Sequence, residues 1–215
     1  MVEVTTHNEP RWPARVALLA CAGLYVLLPS RLVFGPKWLL PALIVLPLIP
    51  LSLVRHHEPD RAVWVGRLAI TLVAIITAAN VFSVVGLVHH LLFVTAQLKG
   101  RQLIYSAATI WVTNIIVFGL WFWEMDRGGP FRRGNSKERY PDVQFPQMGD
   151  PSLCASDWYP RFYDYLYTSF ANGTSFAPAD AMPLTASAKA LFASEALISF
   201  VTIAVVAAEA VNILH

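Results

Sequence analysis

The sequence predicts an all-α integral membrane protein with five transmembrane helices plus one re-entrant half-helix, and three observations carry that reading. Of 215 residues, 56% are hydrophobic and only 14% charged, whereas soluble domains carry about a quarter charged residues. Crossing a bilayer core takes about 20 apolar residues at 1.5 Å each, and several stretches approach or exceed that length. One further segment, 157–172, is too short to cross and too aromatic to lie in water.

Residues 1–102 are expected to supply three spans. The first covers 15–34, with Pro29 late in it. The second, 38–54, contains Pro41, Pro47 and Pro50, a density that predicts a bent or partly unwound helix whose freed carbonyls need neighbours. The third covers 63–98, about 54 Å if wholly helical, so it must tilt, bend or project.

Residues 103–215 read as a second module. A helix over 103–126 ends in Trp121, Trp123 and Glu124, an aromatic belt and charge that mark the membrane interface. A polar loop, 127–156, is rich in Pro, Gly, Arg and Asp and is expected to be exposed. The helix over 157–172 takes Asp157 as N-cap and Pro160 in its first turn. Its length of about 20 Å reaches only partway through a bilayer, and irregular backbone at that depth is tolerated where protein or a watery cavity surrounds it. A loop over 173–183 follows, then an apolar helix over 184–214.

Composition also excludes classes. A net charge of +2 with no basic helix face leaves no expectation of a DNA or RNA partner. Cys21 lies in an apolar run and Cys154 in a polar loop, so no disulfide is expected. The stretch Leu18-Leu19-Ala20-Cys21 resembles a lipoprotein cleavage box, but the apolar run before it is too short for a signal core, and no cleavage is expected. There is no Gly-rich phosphate cradle, no zinc-spaced Cys and His set and no nucleophile with an adjacent base, so neither a cofactor nor enzyme chemistry is expected.

The stretch YTSFANGTSFAPADAMPLT, residues 167–185, resembles the potassium-channel pore module in gapless register. Tyr167 and Ser169 fall where a pore helix keeps an aromatic and a serine, and Thr174 and Ser175 on the pair that starts the filter. Asp180, Pro183 and Thr185 match its trailing residues, and Lys189 the basic residue that opens the inner helix. The resemblance covers 103–214 and implies an outer helix, a pore helix, a filter-like loop and an inner helix around a fourfold axis. Over most of its length the chain also resembles a family of uncharacterised bacterial multi-pass membrane proteins, through LPSRLVFGPKWLLPAL, WFWEMDRGGP, FPQMGDP and AVNIL. Together these resemblances imply a homotetramer in the bacterial plasma membrane, with monovalent cations as the candidate permeant species.

The filter position departs from that pattern. It reads Phe176-Ala177-Pro178-Ala179 where glycines would stand. Ala177 and Ala179 would each pay about 1–2 kcal/mol for a left-handed backbone, and Pro178 is locked near φ of about −65°. The four-loop ring of carbonyls that dehydrates potassium is therefore not expected. Side chains of Thr174, Ser175 and Asp180 could line an opening instead, with Phe176 as a dry constriction. Alternatively Asp180 caps the inner helix and Phe176 packs on the pore-helix aromatics.

The last helix carries Glu195, Ser199, Thr202 and Glu209 on one stripe. A carboxylate near the bilayer centre costs about 2.5 kcal/mol or more, so the stripe is expected to face a water-filled axis or another subunit. The other reading has Ser and Thr bonding within their own helix and Glu209 reaching water. Eight alanines between 186 and 208 would let helices approach closely.

Among weaker candidates, adjacent His89 and His90 are expected to be hydrogen-bonded buried side chains, His56 and His57 solvated, and Asn80 and Asn114 interhelical polar contacts. Five crossings put 12 of the 16 Lys and Arg residues on the face that carries the pore-like loop, which the positive-inside rule assigns to the cytoplasm. Long loops count for less in that rule, and dropping residues 125 onward leaves five against four.

Overall fold

The computed structural model describes residues 10–53, 59–93, 100–133, 140–156, 158–177 and 180–214. Arg55, His56, His57, Lys99, Lys137, Arg139, Asp157, Pro178 and Ala179 lie outside the described residues. Helices dominate, in the order α1 (Trp12–Leu27), α2 (Leu39–Leu53), α3 (Pro59–Phe93), α4 (Gly100–Met125), the short α5 (Pro130–Arg133) and α6 (Pro146–Gly149), α7 (Phe162–Ser175) and α8 (Ala186–Leu214). Three apolar helical spans are long enough to cross a membrane: Trp64–Phe93 in α3, Gly100–Gly128, which is α4 with the 3-10 turn after it, and Ala186–Val211 in α8. The apolar helices Trp12–Leu27 and Leu39–Leu48 are shorter.

The first span is cut short of its expected end. Leu28, which precedes Pro29, is extended at ψ 145°, as the residue before a proline prefers. The chain then turns inward. Ser83 on α3 donates to the Leu32 carbonyl at 2.7 Å, Leu32 is fully buried, and the Phe34 amide donates to the Tyr25 hydroxyl at 2.8 Å. Gly86 permits this docking, since a Cβ there would stand 3.3 Å from the Leu32 side chain. Of the two expectations for α2, bent or partly unwound, the unwinding is not seen: its helix is continuous through Pro41, Pro47 and Pro50. Pro41 lies in the first turn, where no backbone donor is needed.

The central element is α4, which packs against α1, α3, α7 and α8. Its inward side buries Ile110, Val117, Phe118, Leu120, Phe122 and Trp123. Phe122 stacks on Phe192 of α8 at 4.1 Å between ring centres, and Trp123 meets Phe162 of α7 edge-on at 5.7 Å. Gly119 sets the closest approach: a Cβ there would lie 3.0 Å from the Leu166 Cα on α7, below ordinary contact for aliphatic carbons.

The polar loop after α4 is not simply exposed. Arg127, Gly128 and Gly129 take positive φ values of 54°, 81° and 90° and turn the chain out of α4. Two short strands, β1 (Val143–Gln144) and β2 (Met182–Pro183), then pair antiparallel, with Val143 opposite Pro183 and Gln144 opposite Met182. Val143 and Phe145 are buried, and Phe145 meets Tyr165 edge-on at 5.1 Å. The loop is a packed cap over the end of the bundle because its few apolar residues find α7 beneath them.

Candidate functional site

Helix α7 is 14 residues long, about 21 Å, and lies against both α4 and α8. It starts five residues later than the expected 157. Its true first-turn signal is Asp164, whose carboxylate accepts the Arg161 amide at 2.7 Å. It also ends later, at Ser175 instead of 172, so Gly173, Thr174 and Ser175 belong to the helix and not to a filter-like loop. The Thr174 hydroxyl donates to the Phe170 carbonyl at 2.7 Å, a bond inside its own helix.

Phe176 ends the helix in a left-handed conformation at φ 55°, the backbone shape that closes many helices. The left-handed backbone thus falls on Phe176 and not on Ala177, while Ala179 lies outside the described residues. Its ring stands edge-on to Phe200 of α8 at 5.7 Å and is 45% exposed, so it packs on the inner helix and not on the pore-helix aromatics. Ser175, Ala177 and Asp180 are also exposed. Asp180 does not cap α8: the Thr185 hydroxyl accepts the Ala188 amide at 3.2 Å.

The polar stripe of α8 faces inward within a single chain, which corrects the expectation that it needs a watery axis or a second subunit. Glu195 and Ser199 are 0% exposed, and Thr202 and Glu209 are also buried. Glu195 Oε2 accepts the Asn172 side-chain amide at 2.8 Å, and Glu195 Oε1 shares a hydrogen bond with the Ser169 hydroxyl. That hydroxyl also lies 2.7 Å from the Ile115 carbonyl of α4. Asn114 of α4 completes the cluster, donating to the Ser199 hydroxyl at 3.0 Å and the Glu195 carbonyl at 3.2 Å. Its own carbonyl accepts from Asn80 of α3 at 3.4 Å, the interhelical role expected of both asparagines. The Thr202 hydroxyl donates to the Ile198 carbonyl at 2.7 Å, within its own helix.

Gly173 gives this cluster its room, since a Cβ there would sit 3.1 Å from the Ser199 hydroxyl and 3.6 Å from Glu195 Oε1. The Trp111 indole of α4 donates to the Gly173 carbonyl at 3.2 Å. Asn172 is a buried link that also donates to the Phe192 carbonyl at 2.9 Å.

A second polar centre was not anticipated from the sequence. Asp126 is 0% exposed. Its Oδ1 accepts the Asp142 amide at 2.8 Å, and its Oδ2 accepts the Tyr165 hydroxyl at 2.6 Å. Arg127 and Arg133 flank the same Oδ2 at 3.2 and 3.5 Å. Asp142 links this centre onward: its carboxylate accepts the Arg127 amide and the Thr185 hydroxyl, each at 2.8 Å. The Arg133 guanidinium donates to the carbonyls of Trp123 and Pro160 and lies 4.8 Å from the Tyr165 ring centre. The end of α4, the cap, the start of α7 and the N-terminus of α8 are thereby tied at one point.

The histidine expectation changes as well. Both ring nitrogens of His90 are buried without a hydrogen-bond partner, while the His89 ring lies 5.3 Å from Phe93. Among the described residues no cluster of three or more His, Cys, Asp or Glu side chains could hold a metal. No family model, curated protein or solved structure matches this chain.

Proposed function

We propose that this chain is a channel-like, pore-loop membrane protein of five crossings and one re-entrant half-helix, assembled as a homotetramer in the bacterial plasma membrane. The observation that carries the reading is the cradle of α7: a half-length helix held between two long apolar helices, with Ser175, Phe176, Ala177 and Asp180 exposed at its tip. Such a tip, covered within the chain only along the Phe176–Phe200 contact among the described residues, is suited to meet its copies around an axis. Any cation path there is lined by side chains, because Phe176-Ala177-Pro178-Ala179 stands where a potassium filter carries glycines. Potassium and sodium are then poorly distinguished.

A second reading, a non-conducting scaffold that binds a membrane partner, is favoured by one specific observation. The polar groups of α8 are turned inward, and Phe176 leans on Phe200, both partly exposed, so the tip offers an aromatic edge to a partner. Flux of monovalent cations into vesicles, measured on protein whose subunit number has been counted by native mass spectrometry, separates the two. Tetramers that pass potassium and sodium at similar rates support conduction, and tetramers that pass neither leave the scaffold. A monomer in lipid removes both the axis and the channel-like assembly.

A further inference from the structure

The hydrogen inventory around Glu195 is countable. The Asn172 amide has two hydrogens, and both are assigned, to Glu195 Oε2 and the Phe192 carbonyl. The Asn114 amide likewise places its two on Ser199 and the Glu195 carbonyl. Ser169 has one hydroxyl hydrogen and two oxygen neighbours within bonding distance, the Ile115 carbonyl and Glu195 Oε1. A carbonyl oxygen can only accept. If the Ser169 hydrogen points to Ile115, the hydrogen between Ser169 and Glu195 has to come from Glu195.

The surroundings agree with that count. Every group that hydrogen-bonds the Glu195 carboxyl is a neutral side chain from α7, Ser169 or Asn172, and the groups nearby from α4 and α8 are Asn114 and Ser199. No cation among the described residues is ion-paired with it. An ionised carboxylate buried without a countercharge is among the costliest arrangements a fold can hold, and the group neutralises instead.

We propose that Glu195 is a proton-binding site inside the membrane, a neutral carboxylic acid whose Oε1–H donates to Ser169 while Ser169 donates to Ile115. The bound proton closes a chain of hydrogen bonds from α8 through α7 to α4 and so latches the half-helix into its cradle. This holds whether or not the assembly conducts, because every group in the chain belongs to one subunit.

The test is infrared difference spectroscopy of the full-length protein in lipid at neutral pH, wild type minus Glu195→Gln. The expected result is the carbonyl stretch of a protonated carboxyl, shifted in heavy water and missing from the variant. The glutamine amide can donate to Ser169 and accept from Asn172, so E195Q is expected to fold and to melt close to the wild type. As the pH is raised, the wild type is expected to lose melting temperature that E195Q keeps. A difference spectrum containing only carboxylate bands would overturn the proposal. So would an E195Q protein that fails to fold, since an amide reproduces each hydrogen bond of a neutral acid but none of the charge of an ionised one.

Discussion

Two buried carboxylates, Asp126 and Glu195, hold the same helix, α7, by opposite means. Asp126 sits at the end of α4 with two arginines, a tyrosine hydroxyl and a backbone amide around it, an arrangement suited to a full negative charge. Glu195 sits mid-helix in α8 and receives only neutral partners. The difference follows position along the bundle. Near the cap, arginines and backbone amides are within reach; deep in an apolar helix pair only short side chains fit, and charge there has to be avoided.

The comparison can be broken most severely at the charged centre. Replacing Asp126 by Ala leaves Arg127 and Arg133 facing each other in a buried site, a class of change that costs about 3–5 kcal/mol. The expected outcome is loss of folded protein in detergent, or a large drop in melting temperature. Asp126→Asn should recover little, because an amide cannot neutralise two guanidinium groups. If D126N were as mild as E195Q, the two sites would not differ in charge and the contrast would collapse.

At the neutral site, Glu195→Ala strands Ser169 and Asn172, and each buried polar group left unpaired costs about 1–3 kcal/mol. A clear fall in melting temperature is expected with E195A, and almost none with E195Q. The glycine contact between the two centres is next. Gly119→Ala places a methyl against the Leu166 backbone, overpacking of a kind that costs about 1–3 kcal/mol. Because α7 bridges both centres, G119A should loosen the tip and raise hydrogen exchange in residues 170–177 more than in α3. Uniform exchange would mean that α7 is not held as a unit.

The smallest effect is expected at the tip. Phe176 is partly exposed and touches Phe200, so Phe176→Ala should shift the stability of an isolated chain by no more than about 0.5 kcal/mol. In vesicles it should increase cation leak if the ring forms a dry constriction. A large loss of stability in the assembled protein, with no leak, would place Phe176 in a subunit contact instead.

Some of this architecture is written plainly in the sequence. Of the five apolar runs read as crossings, three form helices long enough to cross a membrane and two form shorter apolar helices, because hydrophobic length is a local property and helix length is not. Pro29 marks where α1 stops, since proline lacks the donor that would continue it. The spacing of Glu195, Ser199, Thr202 and Glu209 puts them on one side of α8. What that side faces is a different matter. Periodicity groups residues by direction and says nothing of the neighbour, so an inward stripe answered by Asn114, Ser169 and Asn172 reads the same as one facing water. A usable hint exists, in Ser169 and Asn172 lying three apart on α7.

The charged centre carries no comparable hint. Asp126, Arg133, Asp142, Tyr165 and Thr185 come from four separate stretches of chain, each bland by itself in a polar loop or at a helix end. Hydrophobicity and helix periodicity, both local, settled by themselves that this is a helical chain suited to a membrane and which residues share a face. Only the tertiary structure decided which faces meet, because hydrogen-bond and ion-pair partners are chosen by proximity in space. That choice turned one acid toward arginine and the other toward serine and asparagine.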